Sequence, residues 1–454
     1  MAKQAPLYSG ADPATVAADL APLVEFTEQG LSPHALRQLV EERLLPHLMQ
    51  YGRPQFQSMF NAFPSAEAQY GAEVALQYNQ GVTNWQVSPG GAVLEEMAGR
   101  ALCRLFNLDE TADATFMYSG TYANQEAVYL ALHRHAERQG FDLGQQGLTG
   151  FADPARLAIL VSADAHFSLR HAARMLGLGQ KALVALPVDR ERRIDVREAR
   201  RLVREIKSER DIFCLVATTG TTSTGSVDPV HPLAALAAEL GAWFHLDGAY
   251  GYAYKLVPEC APLFGGDDLA DSITWDPHKQ LSVPIPNSLL FVRDWRDFGR
   301  MSLYSGYFNR REDVEPNPGL KSPPTTRPFS ALPLVTALRG MGLRAVRSEL
   351  RAHVTAIQEL AAHLAIQPDV RLLHRPDTGI LCFQMVPDGL APEERSALQR
   401  RLYEQVMASG QRSISTTTLH GETVLRLLAV SSKVTTADLL ETISFLRQLL
   451  AAEN

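Results

Sequence analysis

Between residues 115 and 295, short apolar β-rich runs alternate with stretches of helical periodicity. The runs fall at 157–161, 182–186, 212–217, 243–246, 272–275 and 288–292, and the helical patterns include 123–138, 196–206 and 232–240. Few architectures satisfy this alternation. Strands that are apolar throughout need cover on both faces, so the pattern predicts an α/β fold, a mainly parallel sheet flanked by helices. Ligands of such sheets bind beyond the strand ends, and the chain's most reactive residue types fall there.

Three stretches stand out. The run Ser272-Ile273-Thr274-Trp275 ends in Asp276-Pro277, and His278 and Lys279 follow at once. Burial disfavours the ammonium form of a lysine, and a neutral amine condenses with an aldehyde to a Schiff base. Alone this is weak, since most lysines beside prolines are solvated surface residues. At the second exit, Trp243-Phe244-His245-Leu246 delivers Asp247 into Gly248-Ala249-Tyr250-Gly251. Asp-Gly is also a common turn, but a carboxylate at the end of a buried strand can keep a pyridinium nitrogen protonated and electron-withdrawing. The third stretch, Tyr118-Ser119-Gly120-Thr121-Tyr122-Ala123-Asn124, opens a helical run. A glycine and hydroxyls at a helix start read as a cap, or as a phosphate site built from free N–H groups and the helix dipole. Together the three stretches point to an aldehyde-bearing, phosphorylated pyridine, pyridoxal 5′-phosphate.

Four motifs then carry a family resemblance: Asp276-Pro277-His278-Lys279; His245-Leu246-Asp247-Gly248-Ala249-Tyr250; Asp164-Ala165-His166-Phe167-Ser168; and Thr219-Gly220-Thr221-Thr222 ahead of Gly225-Ser226-Val227-Asp228-Pro229. In combination the chain, from about residue 50 onward, resembles the group II pyridoxal-phosphate decarboxylases. These act on glutamate, aromatic amino acids, histidine and diaminobutyrate. The resemblance implies fold-type I, an aspartate aminotransferase-like cofactor domain with a small α+β C-terminal domain. It implies α-decarboxylation of an L-amino acid to the amine and CO2 through an internal aldimine on Lys279. Lys279, His166 and Asp247 are the expected catalytic residues. His166 is expected to stack on the pyridine ring, with Ala249 against its other face. Thr222 is expected near the ring and the substrate carboxylate, and His278 at the phosphate. The expected cofactor shell is thus Gly120, Thr121, His166, Thr222, Asp247, Ala249, His278 and Lys279. The resemblance also implies a homodimer, with the active site near the interface and the helix opened by Ser32-Pro33 packing across it.

Two departures from the family pattern are visible. Many relatives carry asparagine where this chain has Asp276, and a carboxylate near a phosphate is unfavourable unless it points away. Several relatives carry a late-loop tyrosine that protonates Cα; the corresponding segment here, 304–326, has Tyr304 and Tyr307 at its start and no tyrosine near its end. The second departure keeps open another pyridoxal-phosphate lyase or an oxidative aldehyde-forming decarboxylase; a non-catalytic member is a separate alternative, against which the intact Lys279, Asp247 and His166 argue. Phe63, Trp85, Tyr307 and Arg327 are candidate substrate residues. Trp85 touches either a substrate or an interface, and Arg327 either positions a carboxylate or the loop, or is plain surface. These residues do not rank acidic, aromatic and aliphatic substrates.

A chain of 454 residues has room for more than one domain. The expected divisions are an arm and substrate-mouth segment (1–90), the cofactor domain (91–335) and a small domain (336–454). In the last, helices are expected at 336–364, 394–407 and 436–450, and strands at 378–385 and 424–430. Asp228 reads as a structural cap of the helix after it, and Arg426, in a leucine-rich strand, needs a partner or an edge position. A net charge of −7 argues against nucleic acid as partner, and no apolar run approaches bilayer length. The first residues lack a leader pattern. Cys103, Cys214, Cys260 and Cys382 are far apart, which fits a reducing cytoplasm better than disulfides or a metal site.

Overall fold

The structure is a computed structural model that describes residues 6–307, 309–387 and 389–453. Residues 1–5, on which part of the leader reading rests, lie outside the described residues. Two compact units divide the chain, with their main boundaries at 61/62 and 351/352. One comprises Ala62–Arg351 with Pro376–Thr378; the other comprises the chain up to Asn61, Ala352–Arg375 and the chain from Gly379 onward.

The first unit is built on a seven-stranded sheet. Its strands are β1 (Asp113–Met117), β2 (Leu157–Ser162), β3 (Leu183–Leu186), β4 (Asp211–Thr218), β5 (Trp243–Asp247), β6 (Ser272–Trp275) and β7 (Ser288–Val292), in the order β1-β7-β6-β5-β4-β2-β3. Neighbours from β6 to β3 are parallel, and β7 is antiparallel to both β6 and β1. The mainly parallel α/β sheet read from the sequence is therefore present. β1 was not foreseen. It begins with Asp113 and holds an edge through β7 alone, so its local pattern is weaker than that of the central runs.

Strands β4 and β5 are buried almost end to end because helices cover both faces. The helix Gly120–Arg138 packs on β4, β6 and β7, and presents Ala123, Ala127 and Ala131 where a larger side chain would hold it off the sheet. Trp275 and Phe291 stack beside Phe106, all three fully buried. Burying a side chain of this size contributes roughly 1.5–3 kcal/mol, so β6 is firmly seated just before the site segment.

Register decides what the sheet can do. Thr218 pairs with Asp247, and Asp247 pairs with Thr274, so three adjacent parallel strands end level. Backbone bonds carry the ladder past those ends: Thr219 N–H donates to Asp247 O (3.0 Å), Gly248 N–H to Thr274 O (3.1 Å) and Asp276 N–H to Ala249 O (3.1 Å).

In the second unit, β8 (Val370–Leu372), β9 (Ile380–Met385), β10 (Ser415–Leu419) and β11 (Glu422–Leu428) form an antiparallel sheet in the order β10-β11-β9-β8. Helices Pro392–Ala408 and Thr436–Glu453 close its core around Leu381, Phe383, Leu402, Leu425 and Ile443. The sequence reading found β9, β11 and these helices but not β8 or β10. β8 has three half-buried or exposed residues, and β10 is Ser-Thr-Thr-Thr-Leu, without an apolar run. The helix expected from 336 starts at Ala331 and is interrupted at Gly342, whose φ of 75° no helix accommodates. Ser32 caps Pro33–Arg43 through Ala35 N–H. Arg426 is buried in an interior strand and is paired, donating to Ser58 O (3.1 Å) and Ser415 Oγ (2.8 Å).

Asp228 requires a correction. The helix Val230–Leu240 has Pro229 at its N-cap and no side-chain cap. Asp228 instead accepts Ile194 N–H (2.7 Å) and Thr218 N–H (2.8 Å), tying the end of β4 to a neighbouring segment. Burial pushes its carboxyl up to about 7 against those two bonds.

Candidate active site

The candidate residues follow the ends of parallel strands, as the fold requires. His166 follows β2, Thr222 follows β4, Asp247 closes β5 with Ala249 behind it, and His278 and Lys279 follow β6. Gly120 and Thr121 open the helix after β1, where Ser119 Oγ accepts Tyr122 N–H (3.4 Å). All of them belong to the first unit.

Asp247 is buried and held from two directions. Asn124 Nδ2 donates to its Oδ2 (2.9 Å), and Ala249 N–H donates to its Oδ1 (3.3 Å). The amide of Asn124 is oriented in turn by His245, whose Nε2 lies 3.1 Å from Asn124 Oδ1 and whose Nδ1 lies 2.8 Å from Ser272 Oγ. A carbonyl oxygen only accepts, so His245 carries its proton on Nε2. Burial pushes His245 down to about 4, so the ring is neutral at neutral pH. The chain Ser272–His245–Asn124 thus ends on the carboxylate. Sequence reasoning quoted Asn124 within the helix-start motif but did not assign it to Asp247. The available signal was a polar residue among Ala123, Ala127 and Ala131 on the sheet-facing side.

His166 sits in the same electrostatic environment. Burial lowers its imidazole below the ordinary value, Asp247 pulls it up, and Lys279 and Asp276 also act on it. Ser168 N–H donates to its Nδ1 (3.2 Å), and Asn124 Nδ2 donates to Ser168 Oγ (2.8 Å). The neutral ring therefore keeps its proton on Nε2. Its other neighbour is the Phe167 ring, with centroids 4.0 Å apart.

Lys279 Nζ lies 2.9 Å from Asp276 Oδ2. Asp276 is buried, and its Oδ1 has no hydrogen-bond partner among the described residues. Its carboxylate faces the start of the Gly120–Arg138 helix: a Cβ on Gly120 would meet the two oxygens at 2.7 and 2.9 Å and the Ala249 Cβ at 3.1 Å. Gly120 is required by this approach. The unfavourable arrangement foreseen for Asp276 is the one present, a carboxylate turned toward the expected phosphate position. His278 Nδ1 lies 2.7 Å from Asn287 O, so that nitrogen is used by the backbone, and burial lowers its imidazole.

The remaining candidates differ in setting. Thr222 is exposed, Ala249 is half-buried, and the buried hydroxyls of Thr218 and Thr219 have no partner among the described residues. Phe63, Trp85 and Tyr307 are exposed. Arg327 is buried, and its guanidinium pairs with Glu95 and donates to Thr115 Oγ1 (3.1 Å) and Phe116 O (3.0 Å). It is thus engaged inside the fold, and the surface reading of it is corrected. Arg327 also lines a cavity of about 580 Å³, to which none of the expected cofactor residues contributes.

The donor set suits a pyridoxal phosphate. An anchored carboxylate, an amine and a flat neutral imidazole lie together, and the glycine at the helix start lets the Asp276 carboxylate and Ala249 approach the backbone there.

Residues 21–386 match the model of the pyridoxal-dependent decarboxylase conserved domain. The chain belongs to the pyridoxal-dependent decarboxylase family, and it is accordingly a pyridoxal-phosphate-dependent carboxy-lyase. Similar curated proteins include an L-2,4-diaminobutyrate decarboxylase of Rhizobium meliloti (strain 1021), 28% identical over 86% of this chain and 77% of that protein. Another is an aromatic-L-amino-acid decarboxylase of Bacillus atrophaeus, 24% identical over 91% of this chain and 85% of that protein. Among solved structures, the glutamate decarboxylase domain of a diaminobutyrate-pyruvate transaminase and L-2,4-diaminobutyrate decarboxylase from Vibrio parahaemolyticus superposes with a TM-score of 0.88. It is 23% identical and covers all of this chain and 92% of its own, which establishes the fold.

Proposed function

We propose that the protein decarboxylates an L-amino acid at Cα to give the amine and CO2, with Lys279 as the residue that carries the cofactor. The observation that carries this reading is the anchored carboxylate of Asp247 grouped with the Lys279–Asp276 pair around His166. When bound, the cofactor supplies an electron sink for the pair left behind as CO2 departs. Asp247 holds the proton of the ring nitrogen, and Asn124 fixes the carboxylate for that task. His166, neutral and with its proton on Nε2, would cover one face of the ring and exclude water, while the small Ala249 would leave room at the other. Gly120, Thr121 and His278 hold the phosphate at the helix start, and Thr222 stands on the substrate side. Lys279 would hold the cofactor, and Asp276, 2.9 Å from its Nζ, would receive its ammonium form whenever that amine is free. Phe63, Trp85 and Tyr307 are assigned to the substrate mouth.

The active assembly is a homodimer in this reading. Supporting it, the arm exposes Phe26, Leu36, Leu45 and Leu48, a run of apolar surface that water does not favour. A cytoplasmic location is supported by the buried free thiols of Cys103, Cys214 and Cys260. Among the described residues, no helix is long and apolar enough to cross a membrane.

The test is an incubation of the cofactor-loaded protein with a panel of L-amino acids, following CO2, amine and peroxide together. Equal CO2 and amine from one class of substrate supports the reading. Peroxide with aldehyde, or amine loss without CO2, transfers the protein to the oxidative or other lyase alternatives. No product from any substrate favours a non-catalytic member.

A further inference from the structure

The Gly120–Arg138 helix has a second polar face. Asn124 turns inward to Asp247, while Tyr122, Glu126, Tyr129 and His133, spaced three, four and seven residues apart, line the cavity of about 580 Å³. Tyr118, Leu303 and Pro323 also line it. The volume falls within the range of small-molecule sites.

Glu126 is only 3% exposed, and neither of its carboxyl oxygens has a hydrogen-bond partner among the described residues. His133 Nε2, two turns further along, is buried and equally without a partner. Native proteins rarely leave such groups unsatisfied, because each costs its full desolvation. Of the cations that line the cavity, Arg327 is ion-paired with Glu95 and also acts on Glu126 through its charge, and Arg300 pairs with Glu137 and Asp297. No described residue donates a hydrogen bond to Glu126, and Tyr118, Tyr122 and Tyr129 line the same cavity; an acid with tyrosine rings is the chemistry that holds organic cations.

We propose that this cavity binds an organic ammonium ion with an apolar or aromatic body, its ammonium paired with Glu126 and its body among Tyr118, Tyr122 and Tyr129. The site is separate from the cofactor shell and does not depend on which substrate is decarboxylated. Burial raises the Glu126 carboxyl well above its ordinary value, against the pull of the Arg327 charge, and so favours the protonated acid before the ligand arrives. Pairing with the ammonium ionises it, and the proton passes to the buffer.

The probe is N,N-dimethyl-2-phenylethylamine, a tertiary amine that cannot condense with an aldehyde and so does not report on Lys279 chemistry. The cofactor-loaded protein is titrated calorimetrically near neutral pH in phosphate and in Tris, with 2-phenylethanol as the uncharged control. The expected result is saturable one-to-one binding, about tenfold or more tighter than the alcohol, with a buffer-dependent heat that corresponds to proton release. Glu126→Gln is expected to weaken the amine by about tenfold or more and abolish the buffer dependence, with the visible absorbance of the cofactor unchanged. Absence of saturable amine binding, unchanged affinity in Glu126→Gln, or binding without proton release overturns the proposal.

Discussion

The side-chain amide of Asn124 donates to Asp247 Oδ2 at 2.9 Å, and so a helix and a strand end meet on one buried carboxylate. A hydrogen bond to a charged group is worth about 1.5–3 kcal/mol. Asn124→Ala is therefore expected to lower kcat about 10- to 100-fold while the protein still folds. Asn124→Asp is expected to lower it further, since like charges would share the site. Steady-state kinetics on the best substrate checks both; normal turnover in Asn124→Ala contradicts the anchoring role.

Asp276 points at the helix start with its Oδ2 2.9 Å from Lys279 Nζ. A phosphate arriving there meets a carboxylate. Asp276→Asn removes the repulsion and is expected to tighten binding of pyridoxal phosphate by about tenfold. Titration of apo-protein, read by absorbance, measures this. Weaker binding in the variant would show that the carboxylate helps the cofactor rather than opposing it.

Gly120 has no room for a side chain, because the Asp276 oxygens and Ala249 Cβ crowd its Cα. Gly120→Ala is expected to cost about 1–3 kcal/mol of stability and to weaken the cofactor more than the substrate. Denaturant unfolding of the apo-protein and a cofactor titration separate the two effects. A variant with wild-type values in both places the helix start away from the phosphate.

His353 lies fully buried in the second unit, and burial pushes its imidazole down to about 3. In the unfolded chain a histidine titrates near its ordinary value of about 6.5. The folded value is depressed, so the unfolded state binds the proton first. Stability is full above about pH 6.5 and is lost as pH falls toward about 3, at roughly 1.4 kcal/mol per unit. His353→Leu is expected to flatten this acid limb. Urea midpoints at a series of pH values test it, and parallel curves for variant and wild type contradict it.

Much of this site was legible in the chain, for physical reasons. Strands buried on both faces must be apolar, so β2, β4, β5 and β6 announced themselves, and ligands at strand ends made Asp247 and Lys279 prominent. β1, β8 and β10 did not, because edge position, short length and threonine content blur the apolar signal. The link from Asn124 to Asp247 spans 123 residues and exists only once the helix packs on the sheet. Arg327 illustrates the same limit: its burial against Glu95 depends on a partner 232 residues away. Asp228 read as a helix cap because it precedes a proline, yet its two backbone partners lie in other segments.

The attachment point of the cofactor is the most direct test. The protein is loaded with pyridoxal phosphate, reduced with borohydride, digested and mapped by mass spectrometry. A phosphopyridoxyl group on the peptide containing Lys279, and its loss in Lys279→Ala, is the predicted result. Attachment to another lysine, or to none, contradicts the account.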